Sequence, residues 1–398
     1  MDKIIYMDHA ATTPVDPRVI EEMLPYFHQK FYNPSSLYTP SREVRKKVED
    51  CRVKLVELLG ASHPNEVIFT SGGTESNNLF IKGMAWALKD KGMHIITTMV
   101  EHHAVLHAFG CLEKMGFQAT YLPVDKYGMV NPEDVEKALR SDTILVSVMM
   151  ANNEVGTVMP IKEIGEVLRS RDIIFHTDAV QAIGSLEVNM RDLGVDALSL
   201  SSHKFYGPKG IGALVIKKDL KPEPLIHGGS QERHRRAGTE NVPGIIGMTR
   251  ALELAVEERE ERNKKITGLR DMLIKGIMSE IPDVILTGHP EKRLPNNASF
   301  CFKYVEGESI LLHLDMHGIS ASSGSACTSG SLNPSHVLLS MGLPHEIAHG
   351  SLRLTLGRDN TGEDVKKVLD ILPGIIERLR DMSPLYPVKK KAVIKGSS

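Results

Sequence analysis

A chain of 398 residues can bury a sizeable core, as one large α/β domain with a smaller partner or as two ordinary domains, without disulfide staples. Its 48 basic and 50 acidic side chains leave a formal charge of −2, which gives neither nucleic acid nor an anionic membrane a reason to bind. The four cysteines, Cys51, Cys111, Cys301 and Cys327, form no CxxC pair, so a structural zinc site and a dithiol redox motif are disfavoured and a reducing compartment fits.

In chain order, the first apolar stretch, residues 4–7, is too short for a secretory h-region. The longest apolar run, 144–150, is far below the roughly eighteen residues of a membrane-spanning helix. The expectation is a cytoplasmic protein with no membrane contact. From about residue 41 to 300, short apolar runs alternate with longer helical patterns, as when parallel strands are joined by crossover helices. This predicts strands at 66–70, 94–98, 119–122, 144–149, 173–176, 197–199 and 213–217, most of them leading into a polar cluster where ligands sit in open α/β sheets. Residues 251–280 repeat apolar positions at three- and four-residue spacing and read as one long amphipathic helix leading out of the large domain. Beyond it, strands at 284–286, 297–302 and 351–355 and helices at 307–317 and 361–380 predict a compact α+β domain. The expected division is a large domain of residues 15–255, a small domain of 1–14 with 256–385, and a lysine-bearing solvated tail, 386–398.

Three segments could carry chemistry. Residues 67–78 (VIFTSGGTESNN) run from an apolar strand into glycines and hydroxyls and then a helix, a turn that aims free N–H groups and a helix dipole at an anion. With no P-loop lysine and no GxGxxG, a lone phosphate suits it better than a nucleotide, although an ordinary N-cap fits equally well. Residues 173–181 (IIFHTDAVQ) end a strand with Asp178, a partly buried carboxylate that could cap a helix or hold a proton on a ring nitrogen. Residues 198–208 (LSLSSHKFYGP) put Lys204 just after a buried strand, where desolvation frees an amine for Schiff-base chemistry; the alternative is a surface loop lysine. In this order, phosphate turn, strand-end Asp and strand-end Lys compose a pyridoxal-phosphate site.

With residues 6–14 (YMDHAATTP), Glu101-His102, residues 152–156 (NNEVG) and residues 322–330 (SSGSACTSG), these segments give a sequence that, over about residues 4–385, resembles the class V aminotransferase group of type I pyridoxal-phosphate enzymes, and more narrowly the NifS/IscS cysteine desulfurases. The resemblance implies the aspartate aminotransferase-like fold, with a mainly parallel central sheet in a large domain and a smaller α+β domain. It implies that Lys204 is the Schiff-base lysine and that Asp178 pairs with the protonated ring nitrogen. By the same resemblance Gln181 bonds the ring hydroxyl, and His102 stacks on the ring and moves protons. Thr74, Ser201 and His203 bind phosphate beside the Gly73 backbone, and Thr239 is lent to the partner's phosphate site in a homodimer. Arg353, near Asn153, holds the substrate carboxylate, a task that suits the bidentate guanidinium.

Cys327 lies in a stretch too polar and glycine-rich for core, so it reads as an exposed thiol on a mobile loop, whereas Cys51, Cys111 and Cys301 fall in helix and strand patterns and read as small buried hydrophobes. The resemblance makes Cys327 the residue that takes sulfur from L-cysteine as a persulfide, leaving L-alanine and feeding an iron–sulfur scaffold of the NifU/IscU kind. The rivals are another reaction on the same fold, transamination or selenocysteine lysis, and a non-catalytic sulfur-transfer scaffold. Cys327 argues against the first and the Lys204 constellation against the scaffold. The pairs His103/His107 and His313/His317 have i,i+4 spacing but no HExxH and no evident third ligand, so they read as surface histidines.

Overall fold

A computed structural model describes residues 4–324 and 334–387. Twelve strands occur among them: β1 (Ile5–Tyr6), β2 (Val67–Thr70), β3 (His94–Thr98), β4 (Gln118–Leu122), β5 (Thr143–Ser147), β6 (Ile174–Asp178), β7 (Ala197–Ser201), β8 (Gly212–Ile216), β9 (Val284–Leu286), β10 (Asn297–Phe302), β11 (Ile319–Ser320) and β12 (Ser351–Thr355). Strands β2 to β8 form one sheet in the order β2-β8-β7-β6-β5-β3-β4. Only β8 runs against its neighbours, so the other six share one direction and deliver their carboxyl ends to one edge. Helices cover both faces, which is why β3, β5, β7 and β8 are buried along their whole length and carry near-continuous apolar runs.

All the predicted strands are present: 94–98, 284–286, 297–302 and 351–355 with the expected bounds, and the others with shifted ends. β6 and β7 each run two residues further than expected, to Asp178 and Ser201, because hydroxyl and carboxylate side chains at strand ends break the apolar pattern without breaking the ladder. The single helix expected over 251–280 is corrected to two, Val242–Glu257 and Arg259–Glu280. Glu258 leaves helical geometry, with φ −92° and ψ 2°, and is held by Arg18 at 2.7 Å. Arg262 binds the carbonyls of Gly184 and Ala255 across the break. The first helix packs on Thr39–Leu59 beside the large sheet and the second on Gly362–Met382, so one straight axis could not serve both.

A second core gathers around the antiparallel sheet β12-β10-β9 and includes Ile5 and Met7 from the start of the chain with Ile266, Phe300, Leu354 and Leu372. Cys51 and Cys301 are buried and Cys111 is half-buried. Among the described residues no helix is long and apolar enough to cross a membrane, and no cluster of three or more His, Cys, Asp or Glu is placed to hold a metal ion.

Candidate active site

A cavity of about 310 Å³ opens at the carboxyl edge of the large sheet. β2 leads through Gly72 into the helix Gly73–Leu88. Gly72 has φ +153° and ψ −176°, a conformation essentially closed to residues with a Cβ, and it offers no side-chain cap, so the first-turn N–H groups remain available to an anion. A Cβ on Gly73 would sit 2.7 Å from Val180 Cγ2, so this close approach requires glycine. The acidic Glu75 in the same turn is occupied, accepting from the Ser71 N–H at 2.7 Å and from Arg236 at 2.9 Å. Thr74, Ser201 and His203 line the same side of the chamber as Gly73.

Asp178 closes β6, and the strand is locked below it. His176, wholly buried, bonds the Ser147 and Ser199 hydroxyls at 2.9 Å each and stacks on Phe80, and burial pushes its pKa down to about 3. Asp178 accepts from Asn77 Nδ2 at 2.6 Å and from the Val180 N–H at 2.9 Å. Lys204 follows β7 on a short 3-10 turn, and its Nζ donates to the carbonyls of Ala10 at 2.5 Å and Ala11 at 2.8 Å. Gln181 donates to the same Ala10 carbonyl at 3.0 Å. His203 meets Thr12 Oγ1 at 3.1 Å, and burial beside Lys204 lowers its pKa to about 4. His102 caps the helix His103–Glu113: its Nδ1 accepts the Ala104 N–H at 3.1 Å, which assigns the proton of the neutral ring to Nε2, and burial lowers its pKa.

Arg353 enters from β12 on the other sheet. Its guanidinium is buried, donates to Asn153 O at 3.0 Å and Asp8 Oδ1 at 2.8 Å, and keeps Nε without a partner. Thus Gly73, Thr74, His102, Asn153, Asp178, Gln181, Ser201, His203, Lys204 and Arg353 share one cavity. Thr239 does not line it; it is exposed, on a loop tied back by Arg236 to Glu75. Cys327 lies outside the described residues. Asn77, Asp8 and the carbonyls of Ala10 and Ala11 are further polar contributors that sequence reasoning left without a role, although all sit in segments it quoted.

The family model for class-V aminotransferases matches residues 5–368. The chain belongs to the class-V aminotransferases. One relative, the cysteine desulfurase IscS of Methanosarcina thermophila, is 57% identical over 386 residues, 97% of this chain and 95% of that one. Another, the cysteine desulfurase IscS of Dictyoglomus turgidum, is 56% identical over 395 residues, 98% of this chain and 100% of the other. Among solved structures, a NifS-like protein superposes with a TM-score of 0.89 at 40% identity, covering 95% of this chain and 100% of its own. SspA in complex with cysteine gives 0.79 at 36% identity, covering 90% and 100%. This class-V aminotransferase therefore has the type I pyridoxal-phosphate fold.

Two acids without a role in the sequence reading, Glu101 and Glu154, are chain neighbours of the cavity residues His102 and Asn153 in this class-V aminotransferase. Glu101 is fully buried, accepts from Thr98 Oγ1 and the Met149 N–H at 2.9 Å each, and has no partner at Oε2; burial pushes its pKa up to about 8. Glu154 is also buried, accepts the Ser335 hydroxyl, and is pushed up to about 7. The histidines are also more organised than expected: the rings of His103 and His107 lie 5.1 Å apart and that of His336 lies 4.8 Å from His103.

Proposed function

We infer that this chain is a pyridoxal-phosphate-dependent cysteine desulfurase, an enzyme that takes sulfur from L-cysteine, leaves L-alanine and passes the sulfur on toward iron–sulfur cluster assembly. The observation that carries this is the convergence of a strand-end lysine, a strand-end carboxylate and an uncapped helix N-terminus on one cavity, in a chain 57% identical to a cysteine desulfurase. The donor set fits the cofactor: N–H groups and hydroxyls for a phosphate, a buried carboxyl group for a ring nitrogen, and an amine for the aldehyde. Gly73 supports this further, since a Cβ there would fill the cradle.

When bound, pyridoxal phosphate supplies an electron sink. Lys204 would hold it through Nζ and would move the proton at the substrate Cα. Asp178, kept in place by Asn77, holds the proton on the ring nitrogen. Gln181 would bond the ring hydroxyl, and His102, which lines the cavity with Nδ1 fixed by the helix, would stack on the ring and move a proton. Arg353 receives the substrate carboxylate, its Nε free to donate, and Asn153 flanks it. Cys327 then attacks the substrate sulfur: a sulfur–sulfur bond forms, the carbon–sulfur bond breaks with its electron pair going to carbon, and protonation there gives alanine and a persulfide.

The same proposal includes a cytoplasmic homodimer in which Thr239 serves the partner's phosphate site, a NifU/IscU-type scaffold as sulfur acceptor, and a division into residues 15–255, residues 1–14 with 256–385, and a tail 386–398. Its support is the exposed Thr239 and a core cluster that joins Ile5 and Met7 to residues between 266 and 379. The test is alanine and sulfide production from L-cysteine by the yellow holoenzyme. Cys327→Ala is expected to abolish turnover with the Schiff-base absorption intact, and normal alanine production by that variant would remove Cys327 from the mechanism.

A further inference from the structure

The turn after β5 holds an acid that the mechanism above leaves unused. Asn152 Oδ1 accepts the N–H groups of Glu154 at 2.8 Å and Val155 at 2.9 Å, and Asn152 Nδ2 donates to Val100 O at 2.9 Å, so the turn is rigid. Gly156, at φ +79°, presses on Asn297, whose Nδ2 donates to Glu154 O at 3.2 Å. The Glu154 carboxylate points inward and is 6% exposed. It meets both ends of the segment 325–333. On the far side it accepts the hydroxyl of Ser335, whose oxygen in turn caps the helix His336–Ser340 by accepting from Val337 and Leu338. On the near side Gly324 packs so tightly that a Cβ there would lie 2.8 Å from Glu154 Oε2 and 3.1 Å from Ser335 Cβ. The near stem is also paired to the substrate side: Arg353 N donates to Ser322 O at 2.7 Å and Ser322 N to Arg353 O at 3.2 Å, while Gly324 N donates to Ser351 Oγ at 3.3 Å.

We propose that Glu154 is a positioning residue, which fixes both stems of the segment carrying Cys327 against the turn that supplies Asn153. The inference rests on the reading of Cys327 as sulfur acceptor. Cys327 is the third residue after Gly324, a span of at most about 11 Å of extended chain, so a displaced stem displaces the reach of the thiol. Glu154 does not line the cavity, and its effect falls on sulfur transfer rather than on substrate binding.

The test compares Glu154→Ala, Glu154→Gln and Ser335→Ala as holoenzymes. Cysteine binding is read from the cofactor's absorbance change, and persulfide formation at Cys327 in a single turnover from the mass of the trapped peptide. Glu154→Ala is expected to bind cysteine within about threefold of the parent but to form persulfide about tenfold more slowly, the scale of one buried hydrogen bond. Glu154→Gln, whose amide oxygen still accepts from Ser335, recovers most of the rate. An unchanged persulfide rate, a loss confined to cysteine binding, or a Gln variant no better than Ala overturns the proposal. If Glu154→Ala does not fold, Ser335→Ala breaks the same bond from the other side and is judged by the same readouts. A Cys327→Ala enzyme that still produces alanine defeats the underlying reading, whereas an inactive Cys327→Ala beside an unaffected Glu154→Ala defeats only this inference.

Discussion

The cavity wall from the seven-stranded sheet and the wall from the three-stranded sheet reach the same chamber by different means. On the first, Gly73, Asp178, Ser201 and Lys204 are each the last residue of a strand or within three of it, so ladder hydrogen bonds fix their backbones before any side chain is considered. On the second, Arg353 sits mid-strand in β12 opposite Ser299, and its guanidinium is aimed by the Asn153 carbonyl and Asp8, 200 and 345 residues away in sequence. The contrast teaches that cofactor chemistry is assigned to the preorganised wall of strand ends and substrate recognition to a mid-strand guanidinium aimed by its partners. Both walls use long-range contacts, since Lys204 also reaches the Ala10 and Ala11 carbonyls.

Four perturbations bear on that contrast. Lys204→Ala strikes the preorganised wall hardest and should lower alanine formation by a factor on the order of 10⁴, with loss of the Schiff-base absorption; turnover near the parent rate would move the chemistry elsewhere. Asp178→Asn keeps the shape but removes the charge, and steady-state assays should register a fall in kcat of about 10²-fold or more, because a neutral amide cannot hold the ring proton. Arg353→Lys acts on the other wall, and should raise KM for cysteine about tenfold with a smaller change in kcat, since a point charge replaces a fork of donors. A larger loss in kcat than in KM would erase the division of labour between the walls.

The smallest effect is on stability. Burial pushes the Glu101 carboxyl up to about 8 from an ordinary value of 4.5, so the folded state binds the proton more tightly than the unfolded one. Its contribution is complete below the unfolded value and is lost as pH rises through about 8. Thermal unfolding of Glu101→Gln from pH 5 to 9 should therefore give a midpoint that falls less steeply toward alkaline pH than the parent's, and identical slopes would mean that the acid is solvated.

Much of the sheet wall was legible in the sequence because its signals are local. A strand, two glycines and a helix are consecutive in residues 67–78, and Lys204 follows its strand by three residues. What escaped depends on contacts between distant segments. Asn77 was visible in its motif, yet nothing near it in sequence indicates that its amide faces Asp178, 101 residues on. The periodicity of 251–280 persists across Glu258, since both helices keep apolar stripes, and only the demand to pack on two different bodies breaks it. Glu101 and Glu154 look like solvated acids in sequence, and their burial follows from strand ends and stems arriving from elsewhere.

The first residues of the chain are threaded through the middle of all this. β1 pairs in parallel with β11, Asp8 bridges to Thr355, and the carbonyls of Ala10 and Ala11 receive Lys204. During synthesis the amino-terminal strand must therefore wait for residues made some 350 positions later, a delay of tens of seconds at about 5–20 residues per second. A nascent chain stopped short of β12 lacks Arg353 and the bridge that seats Asp8, so premature products carry the lysine without the pocket that would use it.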